Sequence, residues 1–212
     1  TSQNPILNTR LPDGSRVAFG SEEAGGWVLR VMDAAGGRAM TLAGHITAKE
    51  IRGWSPDGRR LVFSLPAGGN RDIYTVSGDG GAPERLTRDP AADHDPQWSP
   101  DGRSIAFTSA RGGSEDVWTM DADGGRPVQR THGAGVFGGA VWSPDGSRLA
   151  YAATRDGNRE RYRMRADGSG VTRLTTDSAA DFAPRWSPDR RALVFLAVRG
   201  TNLSNLGAHT IS

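Results

Sequence analysis

Strict alternation marks the chain. In Ser104–Ser109, Ile105 and Phe107 share one parity and Ala106 and Thr108 the other. A period of two is the signature of a strand with two unlike faces. No segment sustains an apolar period near 3.6, so helices are not expected. Polar, Gly-bearing tetrapeptides such as Ser99-Pro100-Asp101-Gly102 separate the alternating stretches. Pro presets φ there and Gly accepts the positive φ that closes the turn. The third copy of the pattern predicts strands at Asp95–Trp98, Ser104–Ser109, Asp116–Met120 and Pro127–Thr131. Asp121-Ala122-Asp123-Gly124-Gly125 is read as a hairpin connection between the last two.

This pattern recurs in phase. The turn Pro falls at Pro12, Pro56, Pro100, Pro144 and Pro188, each 44 residues after the last. Two residues earlier stand Arg10, Trp54, Trp98, Trp142 and Trp186. Seven residues later stand Phe19, Phe63, Phe107, Tyr151 and Phe195. Four short strands per unit, with Trp and Gly at fixed places, predict an all-β fold: a β-propeller of four-stranded antiparallel blades. A single blade cannot bury both faces. Stacked radially, each covers its neighbour, so the Trp series is assigned to packing between blades rather than to ligand stacking. A buried aromatic contributes about 2–3 kcal/mol.

Copies such as Asp95-Pro96-Gln97-Trp98-Ser99-Pro100-Asp101-Gly102, the continuation Asp116-Val117-Trp118-Thr119-Met120, and the late Arg85-Leu86-Thr87 and Arg173-Leu174-Thr175 resemble the WD-like repeat of the TolB propeller family. The resemblance spans roughly residues 6 to 200. It implies a periplasmic or extracellular binding module. The family's characteristic partner is the peptidoglycan-associated lipoprotein. Similar repeats also serve as gates in prolyl-oligopeptidase-like and tricorn-type peptidases, and in manganese-dependent lyases of acidic sugars. Those define the two alternative readings, a peptidase gate and a metal-dependent lyase or hydrolase.

The repeat units fall at about 4–47, 48–91, 92–135, 136–179 and 180–212, in one domain. Arg10-Leu11 replaces Trp-Ser in the first unit and Arg190 replaces the turn Gly in the fifth, as expected of outer, capping copies. The expectation is a five-bladed ring with three strands in its last blade; the alternative is part of a ring of six. A chain that begins at Thr1 reads as processed or excised from a longer one.

Composition narrows the function. There are 29 Gly, six Trp and no Cys in 212 residues, which suits many tight turns and excludes thiol chemistry. The formal charge is +2, and the Arg residues are interleaved with Asp and Glu. That describes a mixed-sign solvated surface and a monomer that binds no nucleic acid. No apolar run approaches the roughly 20 residues that span a bilayer.

Catalytic motifs are missing: there is no G-x-S-x-G, no H-E-x-x-H and no phosphate loop leading into a helix. No cofactor is expected. His45, His94 and His132 occupy loops of one rim but at unequal offsets, so a metal site is not assigned. The acidic turn Asp121–Gly124 lacks the six to eight oxygens of a calcium loop. Topology places the repeated turns at one end of the ring and the variable connections at the other. The variable set is Ala43–Glu50, Arg88–Asp95, His132–Gly139 and Thr176–Ala183, with Ser21–Gly26, Leu65–Arg71, Ala110–Glu115 and Thr154–Arg159. Varied residues on a fixed scaffold are free to recognise a partner. The expected partner-binding residues, for a protein or peptide, are His45, Glu50, Arg71, Asp93, His94, Arg111, His132, Phe137, Arg155, Asp181 and Phe182.

Overall fold

A computed structural model describes residues 6–11, 13–23, 26–46, 51–155, 158–176, 180–187, 189, 192–198 and 206–210. The first blade comprises β1 (Ile6–Arg10), β2 (Arg16–Glu23), β3 (Gly26–Asp33) and β4 (Met40–Ile46). The second has β5 (Ile51–Trp54), β6 (Arg60–Ala67), β7 (Asn70–Ser77) and β8 (Glu84–Arg85). The third has β9 (Asp93–Trp98), β10 (Ser104–Ser109), β11 (Asp116–Asp121) and β12 (Val128–Gln129). The fourth has β13 (Val136–Trp142), β14 (Arg148–Arg155), β15 (Asn158–Arg165) and β16 (Thr172–Arg173). The fifth has β17 (Ala180–Trp186), β18 (Ala192–Val198) and β19 (Leu206–Thr210). Every blade is an antiparallel meander, four-stranded in the first four and three-stranded in the fifth among the described residues. Closure of the ring falls on residues outside those described. So does the fate of any fourth strand in the last blade.

The core lies between blades. Ala106 and Val117 of the third blade pack with Leu149, Tyr151, Tyr162 and Met164 of the fourth. Of the Trp series, Trp54 and Trp98 are buried and Trp142 and Trp186 half-buried. The indoles also stitch the inner strands together: Trp54, Trp142 and Trp186 each donate Nε1–H, at 3.3 Å, to the carbonyl of Thr9, Gln97 and Val141, 45 residues upstream. Arg16 and Arg60 lie 5.8 and 5.1 Å from the ring centroids of Trp54 and Trp98 in the following blade, within cation–π range.

The Ser-Pro-Asp-Gly turns close on themselves. Ser99 Oγ–H donates to Asp101 Oδ1 at 2.6 Å, Arg103 N–H donates to the same oxygen, and Ser104 N–H donates to Ser99 Oγ. Ser55–Asp57 and Ser143–Asp145 repeat the arrangement. These carboxylates serve the backbone, as does Asp123 of the 121–125 turn, which accepts from Gly125 N–H; Asp121 pairs instead with the Arg126 guanidinium.

A second repeated device is buried. Asp72, Asp116 and Glu160, each at 0% exposure, stand near the start of the third strand in blades two to four. Each accepts from a Thr hydroxyl, Thr87, Thr131 or Thr175, on the connection beyond the fourth strand. Each Thr Oγ1 in turn accepts the next backbone amide: Ile73, Val117 or Arg161 N–H. Arg85 and Arg173 complete two of the clamps and Gln129 the third. The fourth strand is only two residues long in these blades, so the clamp holds chain that ladder bonds do not. In blade one the corresponding residues are Val28 and Ala43. There β4 runs for seven residues and pairs Ala43 directly with Leu29.

Candidate functional site

The variable rim is smaller and more strand-like than its sequence predicts. Strands run into most of the expected loops: β6 and β7 are joined only by Gly68 and Gly69, whose φ values of +61° and +96° a two-residue hairpin requires. His45 therefore stands in β4, Arg71 in β7, Asp93 and His94 in β9, Phe137 in β13, Arg155 in β14, and Asp181 and Phe182 in β17. Paired strand ends fix backbone that a loop would leave free. Glu50 lies outside the described residues, as do the side chains of His45, Phe137, Arg155, Asp181 and Phe182. His132 is exposed on the connection from β12 to β13, and Arg71 is half-buried.

Each innermost strand slips register once against its neighbour: at Ile6/Asn8, Ile51/Gly53, opposite Ala106/Thr108, at Phe137/Ala140 and at Phe182/Arg185. In the third blade the bulge places Asp95 at φ 54°. Bulges re-aim the side chains beyond them, here Asp93 and His94.

Those two residues organise the best-defined part of the rim. Arg111 Nη2–H donates to Asp93 Oδ2 at 2.6 Å, and its Nε lies 3.0 Å from Ser109 Oγ and 3.9 Å from Asp89 Oδ2. The guanidinium carbon sits 5.2 Å from the Phe107 ring and 5.0 Å from the Trp118 ring. Arg111 is thus a strut between blade core and rim, with its side chain only 13% exposed. Asp93 is wholly buried. Its second oxygen, Oδ1, accepts no hydrogen bond among the described residues. Beside it, His94 Nδ1 is 3.1 Å from Asp95 Oδ2 and Nε2 is 3.0 Å from Glu115 Oε2. A neutral imidazole donates through only one nitrogen, so the ring links β9 to the β10–β11 connection as a donor to either carboxylate. Among the described residues no three His, Asp or Glu side chains converge as a metal would need.

The rim also carries a cleft of about 400 Å³ in the second blade, lined by Ala67, Gly68, Gly69, Asn70, Arg85, Arg88, Asp89 and Pro90. Its two walls are tied together: Asn70 Nδ2–H donates to the carbonyls of Asp89 and Ala91, at 2.6 and 3.2 Å. Arg85 is held by Asp72 and by Thr87 O. Arg88 is exposed. Arg88 and Asn70 lie in the variable stretches Arg88–Asp95 and Leu65–Arg71 but not among the expected partner-binding residues. Their signal is a Gly-Gly hairpin set against a connection that differs from its counterparts in the other units.

Blades stacked through indole-to-carbonyl bonds, with uniform turns at one end and an uneven rim at the other, define a WD-like β-propeller. The chain belongs to the TolB β-propeller domain family, whose model matches residues 1–138. Its fold is similar to that of the putative TolB from Agrobacterium tumefaciens, with 29% identity and a TM-score of 0.78, covering 95% of this chain and 73% of that one. TolB from Acinetobacter baumannii shares 23% identity at a TM-score of 0.76, over 93% of this chain and 50% of that one. An oligogalacturonate lyase in complex with manganese shares the fold at 14% identity and a TM-score of 0.69, over 94% of this chain and 60% of that one. No curated protein matches the sequence.

Proposed function

We propose that this propeller is a non-catalytic, monomeric binding module that holds a protein or peptide segment on its variable rim, in the periplasm or outside the cell. The observation that carries this reading is the cleft between the β6–β7 hairpin and the Arg88–Pro90 connection. It is already shaped by Asn70, so little ordering is left to the binding event. Exposed Arg88 offers a carboxylate-facing donor at its edge, and the His94–Glu115 pair, in the next blade, extends the polar rim. Family membership makes the soluble domain of a peptidoglycan-associated lipoprotein the first partner to test. Biolayer interferometry should show saturable binding that weakens at least about tenfold, or 1.4 kcal/mol, in Arg88→Glu with an unchanged circular dichroism spectrum. Equal binding by that variant would remove the cleft from the interface. No binding by wild type would remove this partner.

A further inference from the structure

The repeated end of the propeller carries a departure that the scaffold does not require. Strand β15 reads Arg159-Glu160-Arg161-Tyr162-Arg163-Met164-Arg165, with arginine at every second position and so on one face. The opposite face, Tyr162 and Met164, packs on the third blade. Arg148 of β14 lies directly opposite Arg165, and Thr172 of β16 opposite Arg163. Opposed residues on one face have Cβ atoms about 5 Å apart. Three guanidinium groups therefore crowd the lower flank of the fourth blade, around a cleft of about 260 Å³ lined by Arg148, Arg163, Met164, Arg165, Gly170 and Thr172.

Equivalent positions in the other blades show what folding alone uses. Arg163 corresponds to Val31, Thr75 and Thr119, and Arg165 to Asp33, Ser77 and Asp121. The matching Arg16 and Arg60 stack on the next blade's Trp. Among the described residues Arg148 makes no such stack, and neither it nor Arg163 forms an ion pair. Among the described residues the Arg165 side chain hydrogen-bonds Ser169 Oγ, at 3.4 Å. The nearest acid in sequence, Asp167, is held below its ordinary value first by Ser169 and then by the charges of Arg165 and Arg130, but among the described residues it forms no ion pair with them. Burial, and then the charge of Arg148, pull the half-buried Arg163 guanidinium below its ordinary value. Like charges gathered with no ion-paired carboxylate among the described residues are a cost that a bound anion would relieve.

We infer that the Arg148–Arg163–Arg165 cleft is a binding site for a dianionic tetrahedral oxyanion, a phosphate or sulfate group on a small molecule or polymer. A tetrahedral dianion offers enough oxygens and charge for three forks, whereas a carboxylate leaves two cations uncompensated. Thr172 stands at the cleft wall, its hydroxyl donating to the Gly170 carbonyl at 3.3 Å.

The test is titration at fixed ionic strength with inorganic phosphate, sulfate or acetate, followed by thermal shift and calorimetry. Wild type, Arg163→Gln, Arg148→Gln and the turn control Arg59→Gln are compared. Saturable stabilisation by phosphate and sulfate is expected in wild type and Arg59→Gln. It should weaken about tenfold or more in Arg163→Gln and Arg148→Gln. Without anion, Arg163→Gln should melt at or above wild type, because repulsion is relieved; a lower melting temperature would mark the arginines as structural and overturn the site. Absence of saturation in wild type, unchanged affinity in both Gln variants, or acetate binding as tight as phosphate would each overturn it too. A phosphorylated sugar titrated against a sulfated oligosaccharide then separates the two sources.

Discussion

The clamp around Asp116 gives the sharpest test of how the blades hold together. Asp116 accepts from Ser114 Oγ at 2.5 Å, Thr131 Oγ1 at 2.7 Å, Ala134 N at 3.0 Å, Gly133 N at 3.1 Å and Gln129 Nε2 at 3.2 Å. Replacement by Ala strips all five donors of their acceptor. Ser114, Gln129 and Gly133 reach solvent and can turn to water. Thr131 and Ala134 are buried, so their O–H and N–H are left unsatisfied. At about 1–3 kcal/mol per buried orphan, Asp116→Ala should cost about 2–6 kcal/mol. For a chain of this size that lowers Tm by roughly 5–20 °C. Urea melts read the loss as a fall in midpoint with constant slope, which separates stability from a changed denatured state. Asp123→Ala, on an exposed turn, is the control. A loss below about 1 kcal/mol at constant slope would refute the claim that this carboxylate replaces missing ladder bonds.

Three further outcomes follow from the same geometry. Gly124→Ala, at φ +89° with a Cβ only 2.7 Å from the Leu86 carbonyl oxygen, should destabilise more than Gly113→Ala, at φ +92° with open space around it; the latter should cost about 1–2 kcal/mol, read by chemical denaturation. Trp142→Phe loses a donor to the Gln97 carbonyl worth about 0.5–1.5 kcal/mol. Trp98→Phe should lack that part of the loss, since Trp98 Nε1 has no acceptor among the described residues. In acid, the Ser55 and Ser99 hydroxyls, and then the Arg59 and Arg103 amides, hold Asp57 and Asp101 below the ordinary 3.8. For Asp116 burial pushes upward, but Ser114, Thr131 and two amides outweigh it. Folded values below the unfolded one mean stability that is complete above about pH 4 and is lost as pH falls through the folded values. Urea midpoints from pH 7 to pH 3 should therefore fall at the acid end, less steeply in Asp57→Asn.

The architecture was legible because the chain repeats it. Trp, Pro and Gly at fixed phase located the turns, and the third unit's four strands lie where alternation put them, to within two residues at each end. The rim was less legible. Arg111 and Asp93 appeared as surface charges, yet the structure buries one and walls in the other with Phe107 and Trp118. Parity along a strand says which face a residue takes, but not that a bulge two residues on will turn it inward. The acid–Thr clamp was half visible as a repeated Arg-Leu-Thr. Its carboxylate lies 15 residues upstream of the Thr, a separation that no local pattern joins.

Internal repetition supplies its own control. Four or five versions of each position sit in nearly the same surroundings, so a residue the fold needs recurs or is replaced together with its partner. Asp72, Asp116 and Glu160 recur with Thr87, Thr131 and Thr175, while Val28 and Ala43 replace both members where β4 takes over the pairing. Arg163 and Arg165 depart differently. In the third blade Thr119 accepts from Arg130 and Asp121 pairs with Arg126; in the fourth those partners become Leu174 and Gly170, while the acceptors become arginines that stand against a third like charge. A scaffold gains nothing from that concentration of guanidinium groups, whereas an anion-binding surface does. Such departures, rather than the rim's mixed charge alone, distinguish a blade that binds from a blade that only packs.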